Sequence, residues 1–374
     1  MVSRSEIERR YGALREAMCE AGYVGLVVAG GSDFSMRGYV RYVADWRLFG
    51  GTGFVVFPLD DEPAFVLGLG AQAEWAMAES AIKDTRAVLD KMDGVIAVIN
   101  EKGLAKGRIG VVGLNGIMPY GNGHSMMSAL PGAQFEDATR VMQDVMVNLS
   151  EEEMALAEET HGYVVRIKDK IKEAMAPGST EREVLAAGLC EAAKLGCLDG
   201  MAHLTNREAS GTRPGSERRI TEDDIIKVFL EFSGPSGFLI ELGAVFSFRE
   251  PPDLPLRKSE TVIKAINRAA ELMRPGVKAG KLCEVIRQTY VEDGWNITGR
   301  RLWDYHGQGL NSMMPPTGMP GSEEVLRENM MLNIHPGILT EDGWGVSVTH
   351  NYFVTADGGK ALGNFKPEWH RLLA

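Results

Sequence analysis

The chain reads Tyr305-His306-Gly307-Gln308-Gly309, then Asn333-Ile334-His335-Pro336-Gly337, then Val348-Thr349-His350-Asn351. These three segments hold three of the seven histidines in the protein. Each histidine lies beside glycine, proline or an apolar, strand-like run, and none lies on a charged helical face. Because imidazole exchanges its proton near neutral pH, three converging histidines indicate acid–base chemistry or a metal site. A hydrogen-bonded structural role is the alternative for each of them.

The composition indicates a globular protein with room for two domains: 374 residues, of which 44% are hydrophobic and 24% charged. A net charge of −11 argues against nucleic acid or an anionic membrane as a partner. The polar start of the sequence and the lack of any run of about 18 apolar residues predict a cytoplasmic protein with no membrane partner. The four cysteines form no Cys-x-x-Cys motif, so we expect reduced thiols and no zinc or iron–sulfur site on them.

The first part of the chain, residues 1–145, mixes helical and strand patterns and predicts an α/β domain. Apolar residues at helical spacing predict a helix over residues 4–21, which ends at Gly22. Strands are predicted at residues 24–29 and 108–112, a hairpin at 53–58 and 64–67, and a helix at 71–81. The segment from Thr139 to Ser150 is interpreted as the connection between two domains.

An internal repeat is indicated in the second part of the chain, residues 146–374. Met175-Ala176-Pro177-Gly178 and Met273-Arg274-Pro275-Gly276 each lie between two amphipathic helices, and strand-rich sequence follows both pairs. The helices are predicted at about residues 151–175 and 181–195, then from about 256 and at 281–292. This matching order favours a duplicated unit with pseudo-twofold packing over coincidence.

Two carboxylates lie inside an apolar hairpin that is predicted for residues 225–248, around the turn Gly234-Pro235-Ser236-Gly237. They are Glu231 and Glu241. An unpaired buried charge costs several kcal/mol, so both residues need a partner if the strands are buried. Solvation on an edge strand is the alternative.

In the order of its helices, Pro-Gly stops, hairpin and histidine motifs, the chain resembles the pita-bread family of creatinase, prolidase, aminopeptidase P and methionine aminopeptidase. The resemblance covers essentially its whole length. Gly237-Phe238 corresponds to the usual Gly-Tyr, residues 305–309 to the Gly-His-Gly-x-Gly signature, and His335-Pro336-Gly337 to the usual Glu-Pro-Gly. The resemblance implies an α/β N-terminal domain (residues 1–145) and an α+β pita-bread domain (146–374) with a pseudo-twofold internal repeat. It also implies a homodimer.

The chain departs from the metallopeptidases of this family, which bind two metal ions through two Asp, one His and two Glu. At these five positions it has, in order, Leu230 or Glu231, then Glu241, His306, His335 and Thr349. Two divalent ions need bridging carboxylates, and too few oxygen ligands remain. The resemblance therefore implies that the usual two-metal site is missing, and we expect no metal and no cofactor.

Creatinase is a metal-free member of the family, and its closing-strand histidine corresponds to His350. Its guanidino-binding carboxylates have no counterpart here, so creatine is not the expected substrate. We predict a metal-independent, creatinase-like enzyme that hydrolyses a C–N bond, with the catalytic residues His306, His335, His350 and Glu241.

The predicted substrate is a small molecule that carries a carboxylate, because two arginines precede the hairpin and His335 makes the pocket less negative. The residues predicted to bind it are Glu231, Arg207, Arg213, Phe238, Tyr305, Met313 and Tyr352. Surface solvation is the alternative for the two arginines.

Three other functions stay open. A lyase would use the same groups for proton abstraction and elimination. A mononuclear metal enzyme would bind one ion through Glu241, His306, His335 and either Glu231 or His350. A non-catalytic pita-bread protein would only bind a partner.

Overall fold

The computed structural model describes residues 2–205, 212–296, 304–339, 345–364 and 367–372. The chain divides into two compact units. The first comprises Met1–Met146 and Leu310–Ser312, and the second comprises Val147–Gly309 and Met313–Ala374. Among the described residues, no helix combines the length and the apolar character needed to cross a membrane.

The first unit is built on a six-stranded sheet. Its strands are β1 (Gly25–Gly31), β2 (Thr52–Pro58), β3 (Ala64–Gly68), β4 (Asp84–Val88), β5 (Arg108–Val112) and β6 (Gln134–Asp137), in the order β4-β3-β2-β1-β5-β6. The pairs β1–β2 and β2–β3 are antiparallel, and the other three pairs are parallel. The helices are α1 (Arg4–Ala21), α2 (Gly38–Ala44), α3 (Ala71–Glu79), α4 (Lys91–Glu101), α5 (Tyr120–Ala129) and α6 (Thr139–Met146).

Local sequence signals explain the ends of α1. The Ser3 side chain accepts a hydrogen bond from the Glu6 backbone N–H, and Gly22 ends the helix at φ 73°, a conformation that favours glycine. Helix α6 lies inside the segment of residues 139–150 that was interpreted as the connection between two domains, and the boundary between the two units follows its last residue, Met146. Met142 and Met146 lie one turn apart and are both buried, so this short segment is helical because its apolar side packs inward.

The second unit contains four helices among its described residues: α7 (Glu151–Ala174), α8 (Glu181–Lys194), α9 (Asp253–Glu271) and α10 (Gly280–Glu292). A four-stranded sheet has the order β17-β9-β8-β7, formed by β7 (Asp199–Thr205), β8 (Ile225–Ser233), β9 (Leu239–Ser247) and β17 (Trp369–Arg371). A five-stranded sheet has the order β11-β10-β12-β15-β16, formed by β10 (Tyr305–Gly307), β11 (Met314–Thr317), β12 (Met331–Ile334), β15 (His350–Thr355) and β16 (Gly358–Ala361). Strands β13 (Gly337–Leu339) and β14 (Gly345–Ser347) pair with each other, and a 3-10 turn spans Leu362–Asn364.

The two halves of this unit share one order of elements. The helix pair α7–α8 precedes β7 to β9, and the pair α9–α10 precedes β10 to β12. Between the helices of each pair, a glycine has positive φ: 92° at Gly178 and 87° at Gly276. The architecture is the predicted one, an α/β unit followed by an α+β unit.

A backbone bridge connects the two larger sheets of the second unit. The Gly243 N–H donates to the Thr349 carbonyl at 3.0 Å, and these residues form an isolated antiparallel bridge. A Cβ on Gly243 would lie 2.9 Å from the Thr349 Cβ, so this close approach requires glycine. The bridge brings β9 next to β15, and the polar residues of both strands lie close together.

Candidate functional site

The site begins with two carboxylates on the β8–β9 hairpin. Glu231 and Glu241 are direct cross-strand partners in its register, and only 3% and 4% of their surfaces are exposed. The tight turn that sets this register includes Gly237 at φ 95°, and the Gly237 N–H donates to the Gly234 carbonyl. Like charges that face each other across a sheet destabilise it, so the pair needs a donor between the two groups.

That donor is Gln308, which directly follows β10. Its Nε2 atom donates to Oε1 of Glu231 at 3.3 Å and to Oε1 of Glu241 at 3.1 Å. Gln308 is 3% exposed, so these contacts form away from solvent. One side-chain amide therefore serves both buried carboxylates.

Two asparagines hold this amide in place. The backbone N–H of Glu241 donates to Oδ1 of Asn351 at 3.0 Å, and Nδ2 of Asn351 donates to Oε1 of Gln308 at 2.6 Å. Asn333 adds a contact from its Nδ2 to Oδ1 of Asn351 at 3.3 Å, and both asparagines are fully buried. A backbone N–H can only donate, so its contact fixes the orientation of Asn351 and, through it, that of Gln308.

Sequence reasoning missed these three amides. The available signal was a polar side chain inside a buried apolar run, as in Met331-Leu332-Asn333-Ile334 and Asn351-Tyr352-Phe353. Such a residue needs a hydrogen-bond partner. The sequence does not say which partner it finds.

His306 contacts the same carboxylate as Gln308. Its Nε2 lies 3.2 Å from Oε1 of Glu241, and its Nδ1 lies 2.9 Å from the Gly307 carbonyl. That carbonyl can only accept, so Nδ1 carries a proton and Nε2 faces the carboxylate. Burial alone would lower the pKa of His306, but the hydrogen bond and charge of Glu241, with smaller contributions from Gly307 and Glu231, raise it above its ordinary value.

His335 completes the cluster. Its ring centroid lies 4.9 Å from that of His306, and its backbone N–H donates to the Asp304 carbonyl at 3.0 Å. One ligand atom each of Glu241, His306 and His335 lie within 4.8 Å of one another. His335 is only partly buried, so it is the most accessible of the three.

His350 lies elsewhere, in a separate buried cluster. Its ring is 5.1 Å from that of His161 on α7, and its Nε2 is 3.1 Å from the Leu362 carbonyl. Burial, followed by His161, lowers the pKa of His350 to about 3. Successive residues of a strand face opposite sides, so Asn351 faces Glu241 and His350 faces away. This placement argues against the predicted catalytic role of His350.

Of the predicted substrate-binding residues, some lie in the cluster around Glu241 and others make their contacts elsewhere. Glu231 is in the cluster, whereas the Tyr305 hydroxyl donates to the Ala279 carbonyl at 2.6 Å inside the core. Tyr352 packs its ring against that of His350, at 5.4 Å between centroids. Phe238 is completely buried at the hairpin turn.

The contacts of Arg213 do not support a carboxylate subsite. Arg213 is 54% exposed at its side chain, lies 3.8 Å from the Glu181 carboxylate and donates to the Ser216 hydroxyl. Arg207 lies outside the described residues. Met313 is 40% exposed.

The donor set does not fit two metal ions. The described residues bring together one group of three ligands, and the Gln308 amide points its N–H groups at both carboxylates. A cation that bridged Glu231 and Glu241 would meet these hydrogens. One divalent ion fits Glu241, His306 and His335, because imidazole and carboxylate are ordinary ligands of zinc, iron and manganese.

Comparison with known proteins identifies the family. The model of metallopeptidase family M24 matches residues 154–356, which is more than half of the chain. The chain belongs to metallopeptidase family M24. This membership confirms the prediction of a pita-bread hydrolase related to prolidase and aminopeptidase P, from a family that cleaves C–N bonds.

Individual members of family M24 are similar along the whole chain. A probable dipeptidase PepE from Mycobacterium tuberculosis is 26% identical over 95% of this chain and 94% of its own. The crystal structure of dipeptidase PepE from Mycobacterium ulcerans superposes with a TM-score of 0.82 at 22% identity and covers 100% of both chains. An X-Pro aminopeptidase from Thermotoga maritima gives a TM-score of 0.83 at 18% identity, over 96% of this chain and 99% of its own. These likenesses confirm the fold.

Proposed function

We propose that this M24 hydrolase cleaves a C–N bond in a small molecule by acid–base catalysis at Glu241, His306 and His335. The observation that carries the proposal is the contact between His306 Nε2 and Glu241 Oε1 at 3.2 Å. A carboxylate next to an imidazole stabilises the charged form of the imidazole, so this pair can hold a proton for transfer.

Each group has a role in the proposed reaction. His335, the most accessible group, takes a proton from water as the oxygen attacks the carbonyl carbon of the substrate. The C–N bond then breaks, and the leaving nitrogen takes the proton shared by His306 and Glu241. His335 finally returns its proton to that pair, which restores the starting state. Gln308 and Glu231 hold the carboxylate of Glu241 in position.

The proposed substrate class is a dipeptide or a similar small molecule with a free carboxylate. The M24 relatives named dipeptidase support this class. Arg213 does not add support for a carboxylate, because it contacts Glu181 and Ser216. Family membership favours hydrolysis over elimination and over binding alone.

A single-metal hydrolase is the second candidate, and the convergence of Glu241, His306 and His335 favours it. A divalent ion bound there would polarise the carbonyl or lower the pKa of a water molecule. The protein residues would still hold the substrate and move its protons.

The reaction can be tested with a panel of dipeptides, including Xaa-Pro substrates, in water enriched in ¹⁸O. Hydrolysis predicts two products, one of which carries ¹⁸O in its new carboxylate. A product with a carbon–carbon double bond and no label would indicate the lyase. If no member of a broad panel is turned over, but small molecules bind, the non-catalytic alternative replaces the proposal.

We also propose a cytoplasmic homodimer. All four cysteines are free thiols, and Cys197 and Cys283 are buried, which supports a reducing compartment. The dimer rests on the resemblance to creatinase and prolidase. Light scattering coupled to size-exclusion chromatography tests it, and a monomer mass would contradict it.

A further inference from the structure

The nitrogen of Gln308 lies where a bridging cation would bind. It contacts one carboxylate oxygen of Glu231 and one of Glu241, at 3.3 and 3.1 Å. We propose that Gln308 is a positioning residue that takes the place of a cation between these carboxylates and limits the site to one metal ion at most. This inference rests on the proposed function, because it concerns the same site.

A rotation of the Gln308 side-chain amide that exchanged its oxygen and nitrogen would break its hydrogen bonds. In the reverse orientation, Oε1 would face two carboxylate oxygens, and Nε2 would face the Nδ2 donor of Asn351. Asn351 cannot adapt, because its Oδ1 accepts the backbone N–H of Glu241 and the side-chain amide of Asn333. Three contacts therefore keep the Gln308 N–H groups directed at the carboxylates.

Charge explains why an amide suits this position. A carboxylate pair at 3% and 4% exposure attracts a cation strongly, since burial leaves little water to solvate it. The amide supplies two N–H donors and no net charge. It satisfies one oxygen of each carboxylate, and its own bulk fills the space that an ion would need.

The pairing of Glu231 with Glu241 across the hairpin supports the interpretation that Gln308 takes the place of a cation. Glu231 and Glu241 are paired in the β8–β9 register, so their Cβ atoms stay side by side as long as the strands stay paired. If Gln308 were removed, the two carboxylates would remain together with no donor between them. A divalent ion would then be the natural replacement.

Titration of the substrate-free protein with Co²⁺ tests the proposal, with bound ions counted by calorimetry and ligation followed by visible absorption. We expect at most one bound Co²⁺ in the wild type. Gln308→Ala should bind one more Co²⁺ ion than the wild type. Gln308→Glu should bind this additional ion about 10–100-fold more tightly than Gln308→Ala does. Gln143→Ala is the matched control, because Gln143 donates to the Tyr39 hydroxyl in the other unit.

The outcomes separate clearly. If both Gln308 variants bind the same number of ions as the wild type, with the same spectrum, the proposal is wrong. Gln308→Glu keeps the size of the side chain, so it provides the test if Gln308→Ala does not fold. No substrate is present, so a failure to hydrolyse dipeptides would overturn the proposed function and leave this result unaffected.

Discussion

His306 Nε2 lies 3.2 Å from Oε1 of Glu241, and both side chains are almost completely buried. The same oxygen accepts a hydrogen bond from Gln308. This oxygen therefore joins a titrating imidazole to a fixed network of amides.

Replacement of Glu241 by Gln should lower the pKa of His306. Burial already opposes the charged imidazole, and the Glu241 carboxylate is the main group that favours it. The histidine C–H signals in an NMR pH titration measure this change. Glu222→Gln removes an exposed carboxylate that pairs with Arg249 and serves as the control. An unchanged His306 pKa in the Glu241 variant would contradict the assigned role of the pair.

His335→Ala and His350→Ala should have different effects. Loss of His335 should reduce kcat by roughly 10²–10⁴-fold, because a positioned base is removed, and should leave the melting temperature nearly unchanged. Loss of the fully buried His350 should reduce the free energy of unfolding by about 1–3 kcal/mol. Steady-state kinetics and thermal unfolding of both variants check this. A folded His350→Ala protein with no turnover would restore His350 as a catalytic residue.

Acid should destabilise the second unit through His161 and His350. Burial, followed by the charge of Lys168, lowers the pKa of His161 to about 4, and burial and His161 lower that of His350 to about 3. In the unfolded chain, both histidines bind a proton below about pH 6.5, the ordinary pKa of histidine. The free energy of unfolding therefore falls as the pH drops from about 6.5 towards the lower pKa values of the folded protein. Among the described residues, the Leu362 carbonyl and the Tyr352 ring also contact His350, and the charge of Lys168 lowers its pKa further.

Urea unfolding at several pH values between about 7 and 5 measures this loss. His161→Gln cannot titrate and should show a smaller loss of stability over the same range. The exposed His124, replaced in the same way, is the control and should follow the wild type. If His161→Gln and the wild type lose stability equally, the buried histidines are not the cause.

Gly237→Ala should weaken the hairpin that presents Glu241. Gly237 has φ 95°, where an alanine is strained by about 1–3 kcal/mol. Chemical denaturation measures the loss, and Gly50→Ala is the control, because a Cβ at Gly50 meets no atom within 4 Å. Equal stability of the two variants would show that the turn adapts without strain.

The order of motifs was sufficient to predict the fold and the meeting of Glu241, His306 and His335. These motifs lie at the ends of elements: Gly237 precedes β9, His306 lies in the short strand β10, and His335 directly follows β12. The sequence did not predict where His350 lies, since Val348-Thr349-His350-Asn351 does not reveal which residues of the strand face Glu241.

Tertiary partners account for the other differences. Gln308 serves two carboxylates only because the β8–β9 register places them together, and no local pattern reports that register. Arg213 lies next to the buried carboxylate of Glu181 at the start of α8, and these two residues are distant in sequence. The helix over residues 139–146 was missed because only two buried methionines mark its inner face.

We propose that this M24 member hydrolyses a C–N bond without the two-ion centre of the metallopeptidases. The most direct test of this proposal measures dipeptide turnover together with the metal content of the same chelator-treated sample, for the wild type and His335→Ala. We expect turnover by wild-type protein that holds no stoichiometric metal, and loss of this turnover in His335→Ala. Turnover that disappears with the chelator and returns only with two equivalents of a divalent metal would contradict the proposal.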